Sequence, residues 1–162
     1  MREKACLMAR MMAYYHKDIR RINHTLKVFA YAHTIALGEE LADDERKVTE
    51  YAAILHDIGI PESERIYGDS RGPHQEEQGA AVGRQLLQEA GVAEDIAERV
   101  VYLIAHHHSY GAKGEKGLQI LFEADFLVNF EEGNLGDVQA ASFKERLFRT
   151  ATGIRLLDTL FG

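Results

Sequence analysis

Apolar residues recur three and four positions apart through most of the chain, and runs of alternating polarity are few, so the pattern predicts helices. Ile22, Leu26, Phe29, Ala30 and His33 line one side of a helix from about residue 20 to 37, with Gly38 as its stop. Asp43 reads as an N-cap, followed by Asp44 and Glu45 in a first turn where the helix dipole favours negative charge. Val48, Tyr51, Ala52 and Leu55 form the stripe of that helix, and Gly59 and Pro61 end it. Residues 61 to 75 read as a loop punctuated by Gly68, Gly72 and Pro73. Helices follow from about Gln75 to Ala90, closed by Gly91, and from Val92 to about His107. A loop spaced by Gly111, Gly114 and Gly117 leads to a helix from Leu118 to Asn129, and an amphipathic stretch from Phe143 to Leu160 completes the chain. No repeat, linker or low-complexity tract intervenes. Residues 1–162 therefore read as one compact all-α domain of six or seven helices.

Composition narrows the partners. A net charge of −7 argues against nucleic acid or an anionic membrane surface, both of which need a basic footprint. The single cysteine, Cys6, cannot form an internal disulfide. The N-terminal apolar run is broken by Arg10, so no targeting segment is expected. The charge-free run Val100 to Ala112 is too short to span a bilayer. The expected location is cytoplasmic.

Several polar residues interrupt stripes that should be buried. Asp125 sits among Leu118, Leu121, Phe122 and Val128, where a carboxylate is costly unless paired or bound to a metal. A salt-bridged or capping aspartate would satisfy the same pattern. His107 shares a face with Ile96, Val100 and Leu103, whereas His106 and His108 turn away unless the helix unwinds. His56 and Asp57 are neighbours near a helix end, whose partial negative charge favours a cation. Imidazole with carboxylate suits Zn, Fe, Mn, Ni or Mg. His24 lies in the row of Val28, Tyr31 and Ile35, with Arg21 one turn before it and Arg20 alongside.

The order His24, His56-Asp57, Asp125 resembles the signature of the HD superfamily of metal-dependent phosphohydrolases, carried by RINHTLKVFAYA, AAILHDIGIPE and LQILFEADFLVN. The resemblance implies that His24, His56, Asp57 and Asp125 ligate one divalent metal ion. HQEEQGA and IAHHHSY resemble elements of the dinuclear branch, which implies a second ion held by His74 and His107, with His108 as a further candidate. The alternative keeps one metal and makes these histidines outer partners or phosphate contacts. Ile60 stands where the cyclic-dinucleotide phosphodiesterase branch has Lys, and SYGAKG follows His108 in place of a Gly-Tyr-Pro motif. Arg21 to Thr25 resembles the small dinucleoside-tetraphosphate hydrolases, but HHHSY departs from their single His-Thr. HDIGI, HHHSY and EADFLVN together look most like small single-domain HD hydrolases.

The activity so implied is hydrolysis of a phosphate ester or anhydride, by analogy a nucleotide, through a metal-activated hydroxide. Asp57 would bridge ions or orient the water, and Arg21 would neutralise a phosphate oxygen. Arg71, Lys113 and Lys116 are further phosphate candidates, and Glu62, Glu64, Glu76 and Glu77 are candidate proton shuttles. Three other readings stay open: a nucleotide or metal sensor without turnover, a helical interaction module with structural histidines, and a di-iron oxygenase. A homodimer is compatible with the sequence, which leaves oligomeric state undetermined.

Overall fold

A computed structural model describes residues 2–109, 115–134 and 140–162. These form helices α1 (Arg2–Tyr15), α2 (Ile19–Gly38), α3 (Asp43–Leu55), α4 (Ile60–Tyr67), α5 (Gly72–Glu89), α6 (Glu94–His106), α7 (Lys116–Glu131), α8 (Ala140–Arg146) and α9 (Ala151–Phe161), with no strand among the described residues. The all-α class expected from periodicity holds. The helix count is nine among these residues, not six or seven.

The differences have local causes. Pro61 and Pro73 read as breakers in the sequence, but each sits in the first turn of a helix, where its missing N–H costs nothing. Much of the expected 61–75 loop is therefore α4 and the start of α5. The stretch from Phe143 to Leu160 is divided because Thr150 caps α9, its hydroxyl accepting from the Gly153 N–H at 2.9 Å. Ala42, rather than Asp43, is the N-cap of α3, and it makes no side-chain cap. Gly38 is still helical. α2 ends through Glu40 at φ 55°, with Leu41 N–H reaching back to Ala36 O at 3.1 Å. Gly38 instead makes room for α9, since a Cβ there would lie 2.4 Å from Thr152 Oγ1. Of the expected glycine loop, Gly111 and Gly114 lie outside the described residues, and Gly117 is in α7.

α3 and α7 form the centre. α3 packs against α1, α2, α6 and α7, and every residue from Val48 to Leu55 is buried. α7 is buried almost all round between Gly117 and Val128. Helices buried on all sides must neutralise every carboxylate they carry. Glu50 on α3 accepts from His33 Nδ1 at 2.5 Å and pairs with Lys4, which ties α1 to α2 and α3. Glu123 on α7 accepts from the N–H groups of Arg149 and Thr150 at 2.7 and 2.9 Å, and from Gln119 Nε2 at 2.8 Å. That carboxylate pins the α8–α9 connection to the core. Asp125, two residues on, has no such structural partner across the core among the described residues. It faces histidines.

No helix among the described residues is long and apolar enough to cross a membrane.

Candidate metal centre

Three helices deliver four polar side chains to one point. α2 brings His24, the end of α3 brings His56 and Asp57, and α7 brings Asp125. Nε2 of His24 lies 3.4 Å from Asp57 Oδ2, 3.2 Å from Asp125 Oδ1 and 3.3 Å from His56 Nε2. Nε2 of His56 lies 3.2 Å from Asp57 Oδ2 and 3.4 Å from Asp125 Oδ1. Neighbouring ligands of one ion with bonds of about 2.05 Å stand roughly 2.9–3.4 Å apart, so these donors have the spacing of a shared cation.

The backbone fixes which nitrogen of each ring faces inward. His56 and His107 are the C-caps of α3 and α6. Each folds its Nδ1–H back onto the carbonyl three residues earlier, Ala53 O and Ile104 O, both at 2.7 Å. Each bond satisfies an orphan carbonyl of the helix end and leaves Nε2 as the outward donor atom. His24 does the same with a side chain, its Nδ1–H donating to Glu132 Oε1 at 2.5 Å.

Asp57 faces two groups at once. Its Oδ2 meets His24 and His56, while Oδ1 lies 3.5 Å from His107 Nε2. His107 Nε2 is buried and makes no hydrogen bond among the described residues. A buried imidazole nitrogen with nothing to bond, beside a carboxylate oxygen, fits a metal ligand. Asp57, His107 and His108 have donor atoms close enough to hold one ion, as do His24, His56 and Asp57. α6 ends at His106, and the turn that follows brings His107 and His108 to the same side despite their adjacency in sequence. The Nε2 of His108 donates to Gln75 Oε1 at 3.0 Å. Burial, reinforced by the neighbouring His107, pushes its pKa down to about 4, which keeps the ring neutral. His106 turns outward and stacks on Tyr102.

His74 belongs to neither group. Its Nδ1–H is held by Asp69 at 2.7 Å, and its ring stacks on Tyr67. The phosphate candidates also separate. Arg21 lines a cavity of about 260 Å³ beside His24 and Asp57, but its guanidinium is occupied by Asp18 at 3.0 Å and Glu64 at 2.8 Å. Arg71 is paired with Asp69. Lys116 lines a different cavity with Glu45, Thr49 and Arg99. Lys113 lies outside the described residues. Among the acids, Glu62 pairs with Arg65, Glu64 with Arg21, and Glu77 accepts from Tyr67. Glu76 holds the His108 N–H at 3.0 Å.

Three neighbours of the site were given no role from the sequence. Asn129 donates to Asp125 Oδ1 at 3.1 Å, and Glu132 orients His24. They lie four and seven residues after Asp125, a spacing that puts them on its face once the helix runs past Asn129, where the sequence reading ended it. The third is Arg20, which lines the cavity and makes no ion pair among the described residues.

Burial opposes charge on His56, but the Asp57 and Asp125 carboxylates outweigh it and raise its pKa well above the ordinary value. His24 is raised by the same contest, with Asp125 foremost against burial. Protons and a cation therefore compete for the two Nε2 lone pairs. A raised histidine contributes stability that is complete below its unfolded pKa and is lost as pH rises through the folded one. The ion-free fold accordingly loses this contribution with rising pH, while cation affinity grows. Calorimetric titration with Mn²⁺ should give a lower Kd at about pH 8 than at about pH 6. A Kd that is flat or rises over that interval would contradict the competition.

The comparisons with known proteins bear on the family and the fold. The HD domain family model matches residues 21–129, and the chain belongs to that family of metal-dependent hydrolases. A crystal structure of a predicted HD superfamily hydrolase from an uncultured Thermotogales bacterium superposes with a TM-score of 0.68. It shares 23% identity over 98% of this chain and 83% of that one, and so shares the fold. No curated protein sequence matches the chain.

Proposed function

We propose that this protein is a phosphohydrolase that acts on a phosphate ester or anhydride, a nucleotide by family analogy, with two divalent ions sharing Asp57. The observation that carries the reading is the division of the Asp57 carboxylate, one oxygen toward His24 and His56 and the other toward His107. Divalent ions at such a pair of sites supply Lewis acidity and lower the pKa of a water. The chain's own contribution is to hold the donors. Nδ1 of each inward histidine is already bonded, so the rings need no reorientation. Asn129 fixes Asp125, and Gln75 with Glu76 fixes His108.

The cavity beside His24 and Asp57 provides room for the phosphoryl group. Arg20, uncommitted at its wall, is the side chain best placed to contact a phosphate oxygen, in place of the paired Arg21. The net charge of −7 suits a small anionic substrate, drawn in by this local cation and the ions, better than a nucleic acid.

The test is elemental analysis of the purified protein, followed by assay of mononucleotides, dinucleoside polyphosphates and guanosine alarmones with Mn²⁺, Zn²⁺, Ni²⁺, Fe²⁺ or Mg²⁺. Retained metal and turnover of at least one substrate are expected. Arg20→Ala should raise KM roughly tenfold, the loss of one charge-assisted contact, with metal content unchanged. A protein that takes up no divalent ion, or that binds ions and hydrolyses none of the panel, ends the reading.

A further inference from the structure

We infer that Glu132 is a positioning residue for the cation, acting through His24. The inference rests on the reading that His24 donates to an ion through Nε2. Glu132 is the C-cap of α7, and the chain reverses immediately after it at Gly133, whose φ of 75° favours glycine. Asn134 N–H then closes the turn onto Asn129 O at 3.0 Å. This ending holds the carboxylate against α2, with Oε1 2.5 Å from His24 Nδ1. The side chain is mostly buried, 18% exposed, and also lines the cavity beside His24 and Asp57.

Its role is distinct from those of the other ring partners. His56 and His107 are oriented by backbone carbonyls, which no substitution of their own residue removes. His24 sits within α2, where the carbonyls are already used by the helix, so its orientation depends on a side chain. An anionic acceptor on Nδ1 does two things. It fixes the tautomer with the Nε2 lone pair facing Asp57 and Asp125, and it makes that lone pair a stronger donor. α7 thus serves the centre twice, directly through Asp125 and through His24 by way of Glu132.

Glu132 also lies 3.6 Å from Lys27 Nζ, so a merely structural α2–α7 ion pair is the competing explanation. The experiment separates the two. Zn²⁺ affinity is measured by chelator competition, and the His24 ring nitrogens are observed by long-range ¹H–¹⁵N NMR, in the parent, Glu132→Ala, Glu132→Gln and Lys27→Met. Glu132→Ala should weaken Zn²⁺ about 10–100-fold, typical of removing an outer partner of a metal-bound histidine, and should lose the protected Nδ1–H signal. Glu132→Gln keeps an acceptor without the charge, so it should retain the tautomer and fall between the two in affinity. It also carries the test if Glu132→Ala does not fold. Lys27→Met should leave both readouts at the parent values. The inference is overturned if both Glu132 variants bind Zn²⁺ as tightly as the parent, or if Lys27→Met reproduces the loss. A parent that binds no Zn²⁺ would overturn the reading of His24 as a ligand, and the role of Glu132 with it.

Discussion

Asp57→Ala should abolish cation uptake and hydrolysis together. Among the described residues this carboxylate is the group whose two oxygens face both donor clusters, so its removal takes a ligand from each. It also takes the counter-charge from His56 and His107, the partners that hold its own pKa well below the carboxylate range against the cost of burial. Without it the remaining imidazole donors have no anionic partner between them to hold an incoming cation. The loss should exceed the ~10–100-fold that removal of an outer partner typically costs. Metal content and kcat/KM on the best substrate measure it. A variant that turns over at the parent rate would show that the activity resides elsewhere. Asp57→Asn is a useful companion because it keeps the shape and one neutral oxygen. It should retain a fraction of the cation and little of the rate.

Gly59→Ala should be the most damaging single-methyl change near the centre. Gly59 has an ordinary helical conformation, φ −78° and ψ −12°, so flexibility is not what it provides. It provides absence of bulk. A Cβ would lie 2.3 Å from Gln75 O and 2.4 Å from Gly79 N, and those are backbone atoms that no rotamer change can move. α5 would have to shift away from the start of α4. It cannot do so freely, because Gly79 and Gly83 already bring it against Ile104 of α6. Overpacking of this kind costs about 3 kcal/mol, or roughly 6–12 °C in Tm for a domain of this size. The shift would also carry away Gln75 and Glu76, which hold His108. Gly68→Ala makes the contrast. Nothing lies within 4 Å of its added methyl, and only its φ of 71° opposes the change, at about 1 kcal/mol. Thermal melts of the two variants decide the matter, and equal melting points would refute the packing argument.

The amount of this that the sequence revealed follows from the range of the interactions involved. The buried stripes of α2, α3, α6 and α7 were legible because periodicity is local. So were the positions of His24, Asp125 and His107, as polar residues out of place on apolar faces. The donors around Asp57 are joined by contacts across as many as 101 residues of sequence, His24 to Asp125, which spacing alone cannot reveal. His74 shows the converse. Its motif suggested a ligand, but among the described residues it belongs to neither donor group, and its ring stacks on Tyr67. Arg21 lines the cavity with His24, yet Asp18 and Glu64 occupy its guanidinium, and Arg20 beside it makes no ion pair among the described residues. Pro61 and Pro73 misled because a proline says that a helix cannot continue through it, and says the same of one that begins there.

The carbonyl ends of α3 and α6 both meet at His56 and His107. Each such end carries about half a negative charge. With Asp57, Asp125 and Glu132 close by, the bare basin repels an anion. A cation reverses that field, so the two kinds of ligand are thermodynamically coupled, each easing the entry of the other by the same factor. The helix ends thereby make filling of the centre a cooperative event between opposite charges.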